Sequence, residues 1–534
     1  MNSPDPFAIP ADLRLTQVSG RQLDRYWPNY IDGKYCHGGA GSIDVKDPSC
    51  GETLAAQALA DAADVDRAVQ AARRVYLSGA LANLHPMERG RMVRKMGQYL
   101  ASNIEEIKRT LILEQGKPWF EADVELKATI RLFEYFGSIA ESLDGRSVPT
   151  DGTRFAFTVY RPFGVSAQFL PSHYPIYIPA RSLAVALVTG NSCVLKTSEL
   201  TPISATWFAR AAEDAGLPAG AVNIICGRGV DAGQALAAHP DIDHLVFSGH
   251  VETASKVLTA AGANLIPSVV EVGGTNPTIV FEDADLDAFE SEARTGSFWN
   301  AGQFCGGMYR VIVHESRHQE LIDRSVALAE SLRLVPGIES PRTQAPVYGP
   351  YMGPLDSEKQ VENVIALVEE AKRSGAKCLT GGARAPGPGS FMQPTVLRDV
   401  RSEMRIAQKE VWGPVMAVMK FKEIEEAFQI ANSTPYTGLL CAVFTQDLGT
   451  MTRSAHEVRA GHVVTNASIV SGPEISFGGG FGRTGYGRVK GRDALLSYVQ
   501  AKNVLLPIGD LLPETSAQAK AWIRERNLSR ERKG

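Results

Sequence analysis

The sequence predicts an α/β fold built on a doubly wound parallel sheet. Between residues 165 and 272, short apolar segments alternate with amphipathic helices, which is the rhythm of strand–helix–strand units. A second run of the same kind follows and reaches about residue 421. At 534 residues the chain is also too long for a single hydrophobic core, so two or three domains are expected.

The elements before the first α/β run are mainly helical. The first forty or so residues have no regular pattern and are predicted to form an irregular arm. Helical periodicity begins near Ala62 and continues, with interruptions, to about residue 143. The stretch "RSVPTDGTRFAFTVYRPFGV" then alternates as strands do and is punctuated by glycine and proline.

The two α/β runs are defined by their apolar segments. In the first run the predicted strands lie in "SCVLKTSE", "AVNIICGRG" and "IDHLVFSGH", and a helix follows each of them. In the second run the strands are "PTIVFED", "YRVIVHE" and "VMAVMKF". A glycine-rich stretch, "FGGGFGRTGYGRVKG", precedes a last strand in "LSYVQAKNVLLP". The basic tail is predicted to be a peripheral helix or a frayed end.

Composition argues against several classes of function. A net charge of -4 lacks the excess of positive charge that is typical of proteins that bind nucleic acid or an anionic membrane. The start of the chain lacks the basic and apolar regions of a signal peptide, and the longest apolar run is far too short for a membrane helix. Seven scattered cysteines without a CxxC pair indicate neither a disulfide framework nor a zinc site. We therefore predict a cytoplasmic protein with reduced thiols and no nucleic-acid or membrane partner.

One cysteine is a candidate nucleophile. Cys305, in "NAGQFCGGMYR", lies just before a predicted strand and is followed by two glycines. A structural cysteine needs no glycines after it, whereas a nucleophile needs room for a substrate and for backbone donors. A thiolate of this kind could add to an aldehyde, pass a hydride to an acceptor and leave a thioester for hydrolysis.

That chemistry also requires a general base, for which Glu271 in "VVEVGGTNP" is the candidate. It is an acid inside an apolar run, and the two glycines after it permit a close approach of the backbone. A carboxylate at a strand end that points to water explains the pattern equally well.

A dinucleotide site is indicated where a strand gives way to a helix. Lys196 and Glu199, in "VLKTSE", could hydrogen-bond ribose hydroxyls, and the glutamate would repel a 2′-phosphate. A solvated helix start explains two isolated residues as well. Ser248 and Gly249, in "SGHVET", could place backbone amides against a pyrophosphate at the start of a helix.

A zinc-protease pattern is present but is not expected to bind metal. "HESRH", from His314 to His318, matches HExxH, in which an unbroken helix puts both histidines on one face. Here the motif spans the end of a predicted strand and the start of a helix. The required spacing on one face is therefore lost, and no metal site is predicted.

Taken in order, these motifs resemble those of the aldehyde dehydrogenase superfamily over nearly the whole chain, from about residue 47 to 504. "VVEVGGTNPTIVFEDADLD" is similar to the glutamate motif of the family and "NAGQFCGG" to its nucleophile motif. The resemblance therefore implies Glu271 as the general base and Cys305 as the catalytic thiol.

The resemblance also implies the cofactor ligands. "GNSCVLKTSELTP" is similar to the cofactor segment, which makes Lys196 and Glu199 ligands of the adenosine ribose, and Glu199 favours NAD over NADP. "KEVWGPV" is similar to the segment in which a glutamate, here Glu410, holds the nicotinamide ribose and a tryptophan, here Trp412, packs near the ring.

The family implies a domain arrangement and an activity. The expected fold combines a Rossmann-type NAD-binding domain (1–144 and 162–272), an α/β catalytic domain (273–472), a β-arm for oligomerisation (145–161 and 485–508) and a C-terminal tail (509–534). The arm would build a homodimer or a homotetramer. The expected activity is the NAD-dependent oxidation of a small-molecule aldehyde to its carboxylic acid.

The chain departs from the family pattern at four positions, one of which is Ala254, in place of the glycine at the end of the phosphate-turn motif. The usual Pro-Trp-Asn-aromatic-Pro segment reads "PSHYP", so His173 replaces the asparagine that steadies the oxyanion. A neutral histidine can donate one hydrogen bond there; alternatively it fills space, and only the Cys305 amide serves. Ser182 stands where many relatives carry a lysine, and His250 replaces a serine of the phosphate turn. These departures motivate the alternative of a catalytically weak binding or structural relative.

The predicted substrate pocket rests on the resemblance alone. Its aromatic character suits a planar or bulky apolar aldehyde, although most dehydrogenases of this type have some aromatic lining. The expected lining residues are Tyr174, Tyr177, Ile178, Trp299, Phe304, Ile469 and Val470.

Overall fold

The structure is a computed structural model that describes residues 26–150, 154–342, 349–469, 472–507, 517–518 and 520–525. Within these ranges the α-helices are α1 (Ala62–Ser78), α2 (Pro86–Ser102), α3 (Ile104–Gln115), α4 (Trp119–Ser138), α5 (Tyr177–Thr189), α6 (Trp207–Asp214), α7 (Gln234–Ala237), α8 (Val251–Gly262), α9 (Leu286–Ser297), α10 (His318–Ser331), α11 (Glu358–Arg373), α12 (Arg405–Gln408), α13 (Ile424–Ala431), α14 (Leu448–Glu457) and α15 (Asp493–Leu496).

The β-strands of the described residues are β1 (Tyr26–Trp27), β2 (Asn29–Ile31), β3 (Lys34–Cys36), β4 (Ser42–Lys46), β5 (Thr53–Ala58), β6 (Ser147–Val148), β7 (Arg154–Pro162), β8 (Val165–Phe169), β9 (Ser192–Thr197), β10 (Val222–Cys226), β11 (His244–Gly249), β12 (Ser268–Val272), β13 (Pro277–Val280), β14 (Arg310–His314), β15 (Arg333–Leu334), β16 (Tyr351–Met352), β17 (Lys377–Thr380), β18 (Thr395–Arg398), β19 (Val415–Phe421), β20 (Leu440–Phe444), β21 (His462–Thr465), β22 (Gly485–Tyr486) and β23 (Val499–Pro507).

The first large sheet confirms the doubly wound arrangement predicted for residues 165–272. Its strand order is β22-β12-β11-β8-β9-β10-β2-β3, and the five strands from β12 to β10 in that order run parallel. The chain proceeds from β8 to β9 and β10 on one side and then returns to the other side with β11 and β12. The order therefore reverses between β8 and β11, and ligands of open α/β sheets bind at the carboxyl ends beside such a reversal.

The second large sheet is also mostly parallel. Its order is β17-β18-β19-β14-β13-β20-β21, in which only β17 runs antiparallel to its neighbour. One hydrophobic core surrounds this sheet, and two others cover the faces of the first sheet. The α/β fold class predicted from the sequence is thus confirmed.

Helix α5 is the element that connects the first sheet to the site. It packs against α2, α4 and β9, and every residue from Ile178 to its end at Thr189 is buried. Its sequence, "YIPARSLAVALVT", is apolar on all sides except for one charged residue, Arg181. A helix that is apolar all round belongs in a protein interior, so a charge on it calls for a compensating partner.

Strands β23, β7 and β6 form a separate three-stranded sheet. In it β23 pairs antiparallel with β7 along its whole length, from Val499 opposite Pro162 to Pro507 opposite Arg154, and β6 continues the sheet. Apolar side chains on it, including Phe155, Leu505 and Leu506, are exposed. The predicted pairing of the "RFAFTVY" segment with the C-terminal strand is therefore present, whereas the predicted domain bounds stay predictions.

The prediction of an irregular first forty residues is wrong for the part of that segment that is described. Residues 1–25 lie outside the described ranges, but β1, β2 and β3 follow directly. Tyr30 of β2 pairs antiparallel with Ile224 of β10, and the Asn29 side chain accepts a hydrogen bond from the Cys226 amide. These strands form because they complete the edge of a distant sheet, a partner that local periodicity does not reveal.

Two further helices predicted from the sequence are only partly described or differ in form. The helix predicted in "VDAGQALAAH" begins as a π-helical turn at Gly229–Gly233 and continues as the four α-helical residues of α7. The predicted tail helix is present at residues 517–518 and 520–525, with the remainder of 509–534 outside the described ranges. None of the helices formed by the described residues is both long and apolar enough to cross a membrane.

Candidate active site

The loop that carries Cys305 has an unusual backbone. Asn300, Ala301 and Gly302 have φ values of 51°, 54° and 73°, so three consecutive residues adopt the left-handed conformation. For residues other than glycine this conformation is strained, and such strain persists only where the surroundings impose it. Here the Asn300 amide donates to Glu121 Oε2 at 3.0 Å, and its side chain donates to the carbonyl oxygens of His173 and Gln303, both at 3.0 Å.

A second contact fixes the carbonyl group of the cysteine itself. Asn276 Nδ2 donates to the Cys305 oxygen at 2.6 Å, and the Leu440 amide donates to Asn276 Oδ1 at 3.3 Å. Asn276 lies between β12 and β13, a few residues after Glu271. One side-chain amide thus joins the loop of the thiol to the segment that follows the candidate base.

The glycines after Cys305 lie against aromatic rings. A β-carbon added at Gly306 would lie 3.0 Å from the ring of Phe304, and one added at Gly307 would lie 2.7 Å from the ring of Tyr309. These glycines therefore make room for two aromatic rings of the protein. The interpretation that they also leave space around the sulfur stays a prediction.

The structure brings Cys305 and Glu271 together. The sulfur of Cys305 lies 3.9 Å from Glu271 Oε1. Glu271 is only 3% exposed, so it does not point to water, and its Oε2 is buried without a protein partner among the described residues. In β12 it pairs with Ser248 on one side and with Gly485 of β22 on the other. A β-carbon on Gly485 would meet the Val270 carbonyl oxygen at 2.0 Å, so only glycine allows this close pairing.

Arg181 is a third member of this centre that was not predicted from the sequence. Its Nη2 lies 3.0 Å from Glu271 Oε1, and both side chains are 3% exposed. The guanidinium lies over the rings of Tyr177 and Phe477, at 5.4 Å and 5.7 Å from their centroids. A single charge in an otherwise apolar helix was the signal in the sequence that could have identified it.

The electrostatic environment keeps the free thiol protonated. Burial raises the pKa of Cys305, the neighbouring charge of Glu271 raises it further, and the guanidinium of Arg181 opposes both effects. A thiol with a raised pKa must lose its proton as it attacks, so a proton acceptor has to lie beside the sulfur. Glu271 Oε1 is the acceptor in contact with it.

His173 lies at the carboxyl end of the first sheet, shortly after β8. Its ring is 3% exposed and packs edge-on against Trp412, with the centroids 4.6 Å apart. Burial, together with the charges of Lys117 and Arg181, holds its pKa well below the usual range. The imidazole is therefore neutral, with one N–H donor, and neither ring nitrogen has a partner among the described residues.

The predicted aromatic pocket is only partly assembled by direct contacts. The rings of Tyr174 and Phe304 lie 5.9 Å apart, and those of Tyr174 and Tyr177 lie 6.4 Å apart. Trp299 is buried and packs edge-on against Phe120 at 4.9 Å. Ile178 lines the cavity that contains Cys305, and Ile469 is 39% exposed. Val470 lies outside the described residues.

The predicted ribose ligands lie together in a large cavity beside the first sheet. Lys196 Nζ and Glu199 Oε2 are 3.0 Å apart, and Glu199 Oε1 accepts a hydrogen bond of 2.9 Å from the Gly229 amide. The cavity has a volume of about 990 Å³ and is also lined by Ser248 and Gly249. These two residues end β11, directly before the start of α8.

A second cavity, of about 630 Å³, contains Cys305, Glu271, His173, Glu410 and Trp412. It shares Pro171, Ser248, Gly249, His250 and Thr253 with the first cavity, so the two meet at the start of α8. His250 caps that helix, since its Nδ1 accepts from the Glu252 amide at 3.4 Å.

The residues present fit a dinucleotide. Glu410 Oε1 is buried without a protein partner in the described chain, and burial raises the pKa of this carboxyl to about 8. A buried oxygen of this kind suits a ribose hydroxyl, which would donate to it. A β-carbon on Gly273 would lie 1.8 Å from the same oxygen, so this glycine keeps the position next to the carboxyl free. One end of the groove thus offers Lys196 and Glu199, and the other offers Glu410 beside the thiol.

The HExxH segment has the geometry expected for an accidental match. His314 ends β14, a short 3₁₀ turn follows, and His318 begins α10. His314 Nε2 lies 3.1 Å from the Lys422 carbonyl oxygen, whereas His318 is buried. Among the residues that the structure describes, no group of three histidine, cysteine or acidic side chains could hold a metal ion.

The fold and the site together define a class of protein. It is an α/β enzyme in which a cysteine–glutamate pair lies at one end of a long groove, beside the strand reversal where nucleotides bind. A family model described as the aldehyde dehydrogenase family matches residues 35–504. The chain belongs to the aldehyde dehydrogenase family.

Individual relatives agree with this assignment. The chain is 36% identical over 506 residues to the mitochondrial aldehyde dehydrogenase of Equus caballus, covering 94% of this chain and 98% of the relative. It is 36% identical over 496 residues to the mitochondrial benzaldehyde dehydrogenase of Antirrhinum majus, covering 92% and 89%. The solved NAD+ complex of an aldehyde dehydrogenase from Bacillus cereus superimposes with a TM-score of 0.87 at 32% identity, covering 91% and 97%.

Proposed function

We propose that this enzyme oxidises an aldehyde to the carboxylic acid through a thiohemiacetal and a thioester on Cys305, with NAD as the preferred hydride acceptor. The observation that carries the proposal is the contact of 3.9 Å between the Cys305 sulfur and Glu271 Oε1 inside the cavity that Glu410 and Trp412 also line. A thiol with a raised pKa, a carboxylate beside it and a groove for a dinucleotide are the parts this reaction needs.

Each residue has a defined task in this reaction. Glu271 accepts the proton of the Cys305 thiol as the sulfur adds to the carbonyl carbon and releases that proton to solvent before hydrolysis. As a carboxylate again, it then takes a proton from the water that attacks the thioester, and the Cys305 sulfur leaves as the thiolate. The neutral imidazole of His173 and the Cys305 amide donate to the oxyanion. When bound, NAD supplies the acceptor for the hydride that leaves the thiohemiacetal carbon. Glu410 and Trp412 would hold the nicotinamide end, and Lys196 and Glu199 the adenosine end.

The preference for NAD over NADP rests on Glu199. Its two oxygens are held by Lys196 and by the Gly229 amide, so the carboxylate is fixed at the place where a ribose would lie. A carboxylate can accept hydrogen bonds from ribose hydroxyls, but it repels a 2′-phosphate.

The proposed substrate is an aromatic or bulky apolar aldehyde. The ring of Tyr174 lies 5.9 Å from that of Phe304, next to Cys305 in the chain, and 6.4 Å from that of Tyr177. Aromatic faces of this kind favour a planar partner. The Antirrhinum majus relative is named for benzaldehyde, which is consistent with the proposal.

Assembly, location and domain bounds remain part of the proposal. The exposed apolar side chains on the β6–β7–β23 sheet support the predicted homodimer or homotetramer, because a sheet with Phe155 and Leu505 exposed can pack against a second copy. The NAD-binding domain (1–144 and 162–272), the catalytic domain (273–472) and the cytoplasmic location stay predictions.

A spectrophotometric assay tests the function. The enzyme is mixed with NAD and a panel of aromatic and aliphatic aldehydes, and the absorbance of the reduced cofactor is followed. We expect turnover with the carboxylic acid as product, fastest with aromatic members. Cys305→Ala is expected to bind NAD as the wild type does and to lose turnover. Binding of NAD without turnover of any aldehyde by the wild type would instead support the alternative of a catalytically weak relative.

A further inference from the structure

A buried guanidinium contacts the candidate base, and the reaction outlined above assigns it no task. Arg181 lies in α5, is 3% exposed and forms its ion pair with Glu271, which is equally buried. Transfer of a charged group into a protein interior is costly unless an opposite charge and hydrogen bonds compensate for it. An arginine in a helix whose other residues are apolar or small therefore indicates a specific requirement at this position.

Both Arg181 and Cys305 contact the same oxygen atom of Glu271. Glu271 Oε1 lies 3.0 Å from Arg181 Nη2 and 3.9 Å from the sulfur of Cys305. The guanidinium and the thiol therefore share a single carboxylate oxygen. Because the guanidinium is planar and packs over the rings of Tyr177 and Phe477, its direction is fixed, and it fixes the direction of the carboxylate in turn.

The neighbouring residue of the helix does not share this role. The Ser182 hydroxyl donates to Gln168 Oε1 at 2.8 Å and lies 3.1 Å from the Pro179 carbonyl oxygen. Ser182 is thus turned toward β8 and the start of its own helix. The charge that reaches the centre from α5 comes from Arg181.

We propose that Arg181 is a positioning residue that keeps Glu271 in its carboxylate form and directed at Cys305. This inference rests on the proposed function, in which Glu271 has to accept a proton first from the thiol and then from water. Without the guanidinium, a carboxylate in this desolvated place would take up a proton more readily and could no longer act as the base. The arginine itself touches neither the reacting carbon nor the sulfur.

Other charged groups around the pair bear on its titration. On the side of the glycine-rich segment lies Lys490, which stands over the Phe477 ring at 5.4 Å. Burial lowers the pKa of Lys490 to about 8; Arg181 and Arg131 also lower it, whereas Glu271 and Glu474 raise it. On the other side, Glu410 raises the pKa of Cys305, as Glu271 does. The phenols of Tyr177 and Tyr498 also face the pair, and burial raises the pKa of both.

The pH dependence of turnover tests the proposal. In Arg181→Gln the acidic limb of the kcat profile is expected to move to higher pH by about 1–3 units, the usual effect of losing an opposite charge next to a carboxylate. At a fixed pH on that limb, kcat falls about 10-fold to 10³-fold, while NAD binding stays unchanged. Arg181→Lys retains a cation and is expected to keep the limb closer to its wild-type position.

A matched control separates charge from packing. Ser182 is adjacent to Arg181 on the same buried turn of α5, and Ser182→Ala removes its hydrogen bonds without removing a charge. The acidic limb of the kcat profile of Ser182→Ala is therefore expected at the wild-type pH. If Arg181→Gln binds NAD normally and has the wild-type limb, the proposal is wrong. The proposal is also wrong if Ser182→Ala moves the limb as far as Arg181→Gln does, because the effect would then come from packing.

A measurement without substrate distinguishes this inference from the proposed function. The infrared signal of a protonated carboxyl is compared between each protein and the same protein carrying Glu271→Gln, which isolates the contribution of Glu271. We expect that signal at neutral pH in Arg181→Gln and not in the wild type. Its absence in both would overturn the inference even if the enzyme turns over aldehydes. If Arg181→Gln does not fold, the same comparison is made with Arg181→Lys. This variant is expected to resemble the wild type and to show no signal of a protonated Glu271. A signal of protonated Glu271 in both proteins would contradict the proposal.

Discussion

The neutral histidine at the end of β8 leads to a prediction whose size can be worked from the structure. His173 has one N–H donor, and neither ring nitrogen is engaged by another residue of the described chain. Its full donor capacity is therefore free for the oxyanion that forms when Cys305 attacks. Loss of one preorganised donor costs about 2.7–4 kcal/mol in the transition state, or about 10²–10³ in kcat. We expect a decrease of this size in His173→Phe, which fills the space beside Trp412 and removes the donor.

The assay compares kcat of three proteins on one aromatic aldehyde at saturating NAD. His173→Asn retains a donor and is expected to stay within about 10-fold of the wild type, since the remaining difference is one of position and not of chemistry. Because burial holds the pKa of His173 well below its usual range, the imidazole stays neutral at and above ordinary working pH. We therefore expect the pH profile of kcat to have the same limbs in His173→Phe as in the wild type. Equal kcat in His173→Phe and the wild type would refute the role of the side chain.

Two further predictions concern the supports of the site. Lys117→Met is expected to lower the free energy of unfolding by about 3–5 kcal/mol, because it leaves the fully buried Glu125 without its ion-pair partner. The pair of Lys127 and Asp123 provides the control: the Lys127 side chain is 64% exposed, and Asp123 keeps a second partner in Lys108. Lys127→Met should cost less than about 1 kcal/mol in the same urea titration, and equal costs would contradict the reasoning. Glu199→Gln is expected to raise the ratio of NADP to NAD use, measured as kcat/KM, on the order of 10-fold, because a like-charge repulsion is removed. An unchanged ratio would show that another group sets the preference.

Residues that the sequence identified are those that a local motif carries. Cys305 and Glu271 each stand in a short segment with distinctive neighbours, and the structure places their side chains in contact. Lys196 and Glu199 lie at a strand–helix junction, and the structure shows them together in the cavity beside it. Such residues can be found because the features that mark them are close in the chain.

Residues that the sequence did not identify depend on partners far away in the chain. The role of Arg181 depends on its contact with Glu271, which lies on β12, 90 residues further along the chain. The strand at Asn29–Ile31 forms because β10 provides an edge for it. The rings of Phe304 and Tyr309 that lie against Gly306 and Gly307 were likewise not predicted from the sequence. In the cases of Arg181 and β2 the structure depends on a tertiary contact, and such contacts cannot be predicted from a local sequence pattern.

The pairing of β12 with β22 has a consequence for the synthesis of the protein. Glu271 lies opposite Gly485, so the strand that bears the acid gains its outer neighbour only from a segment near the carboxyl terminus. A nascent chain that already contains Cys305 but ends before Gly485 still lacks the strand that pairs with β12. Strand β12 therefore cannot gain this neighbour until β22 has been synthesised, and a polypeptide released before that point would contain Cys305 and Glu271 but not the strand that pairs with Glu271.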